Sequence, residues 1–232
     1  FPIFENMNLD DLENDIGKLW FKCVDHSQLR WLGPEKGAVH MAVAAIFNCL
    51  WDLIAKKNKK PLWRFVSESD PEKIVSWLTF KYIEDVLNPD QALKILKESQ
   101  NDKKVRTDII LKEGYPSYTT AAGWLGYSDE KIVKLCNKYI SMGWKHFKVK
   151  VGLDLEADVK RLELIRKTIG DDCHIMVDAN QQWSVEQSIK HINAYKKFNL
   201  LFVEEPTSPD DVLGFVKIKK AVGNIKLATG EA

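Results

Sequence analysis

The sequence predicts an α/β fold: a (β/α)8 barrel of the TIM type, cut off after about strand 5 and preceded by a helical region. Three observations predict it. From Tyr115 onward, short apolar stretches alternate with amphipathic helical ones, about one pair per 25–30 residues. The later strands end in ionisable residues, Lys150, Asp178, Glu204 and Glu231, spaced 28, 26 and 27 residues apart. Residues 1–66, in contrast, carry helical periodicity.

Taken in order, residues 1–66 form a first region. Its Ala38–Lys57 segment is apolar on most faces (Val39, Ala42, Val43, Ile46, Leu50, Leu53, Ile54), which predicts a buried helix stopping near Asn58, before Pro61. Residues 67–114 read as a connecting insertion, with a strand over 74–82 and one charged helix from Pro89 to about Lys112. Residues 115–232 hold the partial barrel. Tyr118–Ala122 is its first β-prone stretch. Ser128 then caps a helix bearing Ile132, Leu135, Cys136 and Tyr139. Strand 147–151 precedes a helix with Val159, Leu162, Ile165 and Ile169, stopped by Gly170. Strand 174–178 leads to a helix opened by the capping box of Ser184 and Gln187. Strand 200–204 leads to a helix that Ser208 would cap with Pro209 at its first position, and 225–228 is the last strand.

The 232 residues allow one large domain, or a small one with most of a larger one. A net charge of +1 exerts no general pull toward nucleic acid or anionic membrane, and Lys56–Lys60 reads as a solvated helix end. Cys23, Cys49, Cys136 and Cys173 are scattered without ligand spacing, which predicts neither zinc site nor disulfide framework and suits a reducing, intracellular compartment. No apolar run is expected to reach transmembrane length, and no signal peptide or basic presequence is visible. Phe1 in place of Met suggests that the chain starts inside a longer polypeptide.

In a barrel, the carboxyl ends of the strands form the active-site face. Lys148 and Lys150 are two apart in one strand, so both point the same way, inward beside Phe147, Val149 and Val151. Two buried ammonium groups repel, so each is expected to favour losing a proton, which suits a general base. Asp178, Glu204 and Glu231 would repel one another unless a cation sits among them. Oxygen ligands without His or Cys favour Mg²⁺ over Zn²⁺. Such a metal stabilises the charge that develops when a proton α to a carboxylate is removed. Glu205, Asp210 and Asp211 read as solvated loop residues or helix caps, and His40 and His191 as packed or surface histidines. No GxGxxG, Walker or GxSxG pattern occurs.

In order and spacing, FKVKVG, MVDANQQW, FVEEPTSPDD and ATGE resemble the mandelate racemase branch of the enolase superfamily. AAIFNCLWDLIAKKNKKPLW is similar to the end of that superfamily's α+β capping domain, making residues 1–66 its helical part. LRWLGPEKG, YPSYTTAAGWLGYSDE and EEPTSPDD resemble the L-fuconate dehydratase group, which has mitochondrial members in animals. A lysine base working beside Mg²⁺ is an established arrangement of the superfamily. The resemblance implies that Lys150 takes the C2 proton and that Lys148 touches the substrate carboxylate. It implies that Asp178, Glu204 and Glu231 bind Mg²⁺, the two glutamates also facing substrate, and that Asn180 hydrogen-bonds substrate. The implied reaction is dehydration of L-fuconate, a small acid sugar, to 2-keto-3-deoxy-L-fuconate through an enediolate, by a homo-oligomeric full-length protein. The family's His/Asp acid pair is expected beyond Ala232, so this chain alone is expected to be inactive. The alternatives are another acid-sugar dehydratase or racemase of the branch, or a non-catalytic isoform with a binding or regulatory role.

Overall fold

The computed structural model describes residues 2–33 and 37–230. The chain forms two compact units, one ending at Gly114 and one beginning at Tyr115.

The first unit is helical. Helix α1 (Leu9–Val24) starts where the Asn8 side chain accepts the Asp11 N–H, with Asp10 and Asp11 in its positive first turn. Its Leu12, Ile16 and Leu19 share one face and form a core cluster with Phe47 and Ile54 of α2 (Ala38–Lys57) and Phe65 of α3 (Leu62–Glu68). Glu13 ties the unit together by accepting from Lys73 at 2.7 Å, Lys57 at 3.2 Å and Asn58 at 3.1 Å. Gly17 lets α1 pass close to another backbone: a Cβ there would lie 2.5 Å from the Ser76 carbonyl oxygen.

Four expectations for this unit fail. Helix α2 is not buried all round: Phe47, Ile54 and Ala55 are buried, whereas Met41 is 73% exposed. By length and composition alone, α2 also passes for a membrane span, contrary to the expectation that no run would. Its surface Asp52–Lys56 ion pair and its packing through Phe47 and Ile54 suit a helix within a folded domain. The strand expected over 74–82 is instead helix α4 (Pro71–Ser76) followed by turns. Asp70 in extended conformation, Pro71 at the first position and Glu72 in the first turn start a helix. Those signals outweigh the β-propensity of Ile74 and Val75. The single charged helix expected over 89–112 divides into α5 (Pro89–Glu98) and α6 (Lys103–Glu113), broken in the polar stretch 99–102.

The second unit is a parallel sheet carrying helices. Its strands β1 (His146–Lys150), β2 (His174–Asp178), β3 (Leu200–Glu204) and β4 (Lys226–Ala228) lie in the order β1-β2-β3-β4. About five strands were expected, and four form among the described residues. Tyr118–Ala122 makes only an isolated parallel bridge, Thr119 to Phe147. It nevertheless lines β1: the Lys148 N–H donates to the Thr119 carbonyl at 2.9 Å, and the Lys150 N–H to that of Gly123 at 2.8 Å.

Helix α7 (Asp129–Ser141) leads into β1, and α8 (Leu155–Ile169), α9 (Val185–Tyr195) and α10 (Val212–Val222) connect the successive strands. They bury Ile132, Leu162, Ile165, Ile192, Tyr195 and Ile218 against Phe147, Val149, Ile175, Val177 and Val203. Ser128, Asp154 and Ser184 cap the first three, Ser184 in a full capping box with Gln187. Ser208 does not cap α10. The Asp211 side chain accepts the Gly214 N–H at 2.8 Å, and the helix starts after it.

Candidate active site

The register of the sheet builds the site. Lys150 pairs with Asp178, and Asp178 with Glu204, so three ionisable residues stand side by side at the carboxyl ends of β1, β2 and β3. Lys148, two residues earlier, points the same way as Lys150. Its Nζ donates to Glu204 Oε2 at 2.8 Å and lies 3.4 Å from Asp178 Oδ2. Lys150 Nζ donates to Asp178 Oδ2 at 2.6 Å and to Asn180 Oδ1 at 2.8 Å. The structure therefore brings together Lys148, Lys150, Asp178, Asn180 and Glu204. Glu231 lies outside the described residues.

Burial sharpens these pairings, since charges in a low-dielectric site interact more strongly than in water. Asp178 is 1% exposed and Lys148 8%. Burial alone would raise the Asp178 pKa. Hydrogen bonds from Lys150 and the Asn180 backbone N–H, with the charge of Lys148, outweigh it and hold the carboxyl below its ordinary value. Burial alone would likewise lower Lys148. Its bonds to Glu204 and Tyr118, with the charge of Asp178, hold it above the ordinary lysine value. For Lys148, this corrects the expectation that repulsion between the two ammonium groups favours loss of a proton. That argument weighed the two ammonium groups against each other, whereas Lys150 meets Asp178 across the register and Lys148 reaches over to Glu204 on β3.

Asp178 and Glu204 suit a hard divalent cation. Both offer only oxygen, they are adjacent on neighbouring strands, and Asp178 is buried with cationic partners already around it. Among the described residues, no group of three His, Cys, Asp or Glu side chains is placed to hold a metal.

The structure adds residues that sequence reasoning missed. Tyr118 faces Lys148 with its ring centroid 4.8 Å from Nζ, and Trp124 faces Lys150 at 5.7 Å. Both belong to the segment before α7, which the sequence marked only as a short β-prone stretch over Tyr118–Ala122 and not as part of the site. Glu205 is not a solvated loop residue: it is 1% exposed. Its Oε1 accepts Gln181 Nε2 at 2.9 Å and its Oε2 accepts Asn180 Nδ2 at 3.4 Å. Behind β1, Asp158 accepts the Gly152 N–H at 2.8 Å and the Tyr195 hydroxyl at 3.1 Å. Arg161 donates to the Lys150 carbonyl and binds Asp158. The capping-box logic that picks out Ser184 has no counterpart for such a long-range network. His40 and His191 are packed against aromatic rings, Trp20 and Trp183 respectively.

Residues 131–232 match the family described as Enolase C-terminal domain-like. The chain superposes on the crystal structure of human Mitochondrial enolase superfamily member 1 with a TM-score of 0.93 at 46% identity, covering 97% of this chain and 52% of that one. L-galactonate dehydratase of Hypocrea jecorina is 43% identical over 96% of the chain and 51% of its own length. A racemase of Streptomyces coelicolor, solved with bound magnesium, matches at a TM-score of 0.64 and 25% identity, covering 97% of this chain and 49% of that one. The chain thus spans about half the length of the curated relatives it matches.

Proposed function

The chain belongs to the enolase superfamily, and on that premise we propose that the protein carrying it is a Mg²⁺-dependent acid-sugar dehydratase acting on L-fuconate. The observation that supports this reading best is the pairing of Lys148 and Lys150 with Glu204 and Asp178 at the carboxyl ends of three adjacent parallel strands. A relative named L-galactonate dehydratase supports the substrate class. L-fuconate is the 6-deoxy form of L-galactonate and shares its stereochemistry from C2 to C5. A pocket selective for that configuration admits either, since a hydroxyl added to or removed from C6 changes neither reacting carbon. The name of the human relative, Mitochondrial enolase superfamily member 1, supports a mitochondrial location.

In the proposed mechanism, Lys150 Nζ takes the proton from C2. Its place between Asp178 Oδ2 and Asn180 Oδ1 fixes the nitrogen's position and approach. Lys148, buried and charged, sits beside the substrate carboxylate and stabilises the negative charge that grows there. The rings of Tyr118 and Trp124 lie against Lys148 and Lys150 respectively. Asp178 and Glu204, with Glu231, would hold Mg²⁺, which would supply positive charge against the negative charge that develops on the substrate carboxylate. Loss of hydroxide from C3, with a proton from an acid, completes the removal of water.

The full-length protein with Mg²⁺ is expected to form a 2-keto-3-deoxy acid from L-fuconate. Turnover of other acid sugars without L-fuconate would reject the substrate and keep the dehydratase. No 2-keto acid from any acid sugar would reject both.

A further inference from the structure

We propose that Glu205 is a positioning residue for Lys150, acting through Asn180; the inference deepens the assignment of Lys150 as base and rests on it. Asn180 lies between a group that only donates and one that only accepts. Lys150 Nζ donates to its Oδ1 at 2.8 Å, and its Nδ2 faces Glu205 Oε2 at 3.4 Å. An ammonium cannot accept and a carboxylate cannot donate, so these partners fix which way the amide points. Were the amide reversed, its NH₂ would face the ammonium and its oxygen the carboxylate, two repulsive pairs.

Glu205 is built for this task. Its other oxygen accepts Gln181 Nε2 at 2.9 Å, its N–H donates to the Ala228 carbonyl at 2.9 Å, and its carbonyl accepts the Gln181 N–H at 2.8 Å. Asn180, Gln181 and Glu205 all have positive φ, +45°, +65° and +47°. Non-glycine residues in this region carry local strain, which persists where the surroundings over-determine the conformation and which concentrates at functional sites. Here three such residues enclose one hydrogen-bonded unit that ends on the Lys150 nitrogen. A carboxylate 1% exposed at the strand end would be costly unless its bonds were needed.

Glu205→Gln tests the assignment because it keeps size while turning one acceptor oxygen into a donor. Facing two amide donors, Gln at this position can satisfy only one, so Asn180 turns or shifts and Lys150 loses its second partner. Reductive methylation of Lys150 in the full-length protein, followed by mass spectrometry, reads this without any turnover. Glu205→Gln is expected to speed modification of Lys150 roughly fivefold, the equivalent of one hydrogen bond of about 1 kcal/mol. Asn180→Ala is expected to do the same, and the pair Glu205→Gln with Asn180→Ala no more than either alone. Glu205→Gln with Asn180→Asp restores a donor facing an acceptor and keeps an acceptor oxygen for Lys150, and its rate is expected to return to wild type or slower. Multiplying effects, or no rescue by Asn180→Asp, would overturn the proposal. If Glu205→Gln does not fold, Asn180→Ala decides, at an exposed position: an unchanged Lys150 rate overturns the link. Absence of dehydratase turnover would reject the proposed reaction and leave these modification rates standing as the test of the link.

Discussion

Replacing Tyr195 by Phe removes one oxygen from the centre of the second unit. Tyr195 is 0% exposed, and its hydroxyl donates to Asp158 Oδ2 at 3.1 Å, with His191 Nδ1 3.4 Å away. Asp158 keeps the Gly152 N–H and Arg161 in the variant, so the carboxylate is not orphaned. The loss is one hydrogen bond to a charged acceptor, about 2 kcal/mol at neutral pH. Its pH dependence carries a sign. Burial first, then the Asp158 charge and hydrogen bond, push the Tyr195 phenol well above its ordinary 10. Above pH 10, the unfolded tyrosine releases its proton while the folded one retains it, so the unfolded state binds fewer protons and stability falls as pH rises. The fall from this group approaches about 1.4 kcal/mol per pH unit, so by about pH 11 the advantage of wild type shrinks to under about 1 kcal/mol. Urea unfolding of both proteins between neutral pH and pH 11 measures the difference. A neutral-pH difference under about 0.5 kcal/mol would refute the hydrogen-bond argument. A gap that stays constant into alkali would refute the linkage argument.

Other parts of the structure give independent expectations. Gly123→Ala would place a Cβ 2.3 Å from the Lys148 carbonyl oxygen, pushing the 119–123 segment off β1. The expected loss is about 1–3 kcal/mol in urea unfolding, and an unchanged midpoint would show that this close approach does not fix the segment. Ser184→Ala removes the side chain of a complete capping box and is expected to cost about 1 kcal/mol, read the same way. Alkylation of the native chain at mildly alkaline pH is expected to mark exposed Cys49 and spare buried Cys136, whose thiol burial pushes up to about 11. Equal rates at the two cysteines would contradict the burial of Cys136.

The second unit was largely legible because its signals are local and repeat. Ser128, Ser184, Gly170 and the short apolar strands each mark a boundary within a few residues. The spacing of Lys150, Asp178 and Glu204 carried their shared register into the sequence. The first unit was harder. Ile74 and Val75 read as strand because β-propensity reports side-chain shape, while Asp70, Pro71 and Glu72 set the backbone one turn earlier. Helix α2 read as buried because periodicity counts apolar residues and cannot say which of them meet a partner. Within the site, positions were visible and pairings were not. That Lys148 meets Glu204, and Lys150 meets Asp178 and Asn180, depends on the sheet register and side-chain reach. Glu205 was passed over because a strand-end carboxylate usually faces water, and only the fold of Asn180 and Gln181 around it shows otherwise.

The assignment of Lys150 as base is tested most directly by turnover of L-fuconate by full-length Lys150→Ala with saturating Mg²⁺, beside a thermal melt confirming its fold. Loss of the base is expected to lower kcat by roughly 10²–10⁴-fold or more. Lys150→Arg is expected to fail as well, since a guanidinium stays protonated. A folded Lys150→Ala protein with near-wild-type kcat would contradict the account.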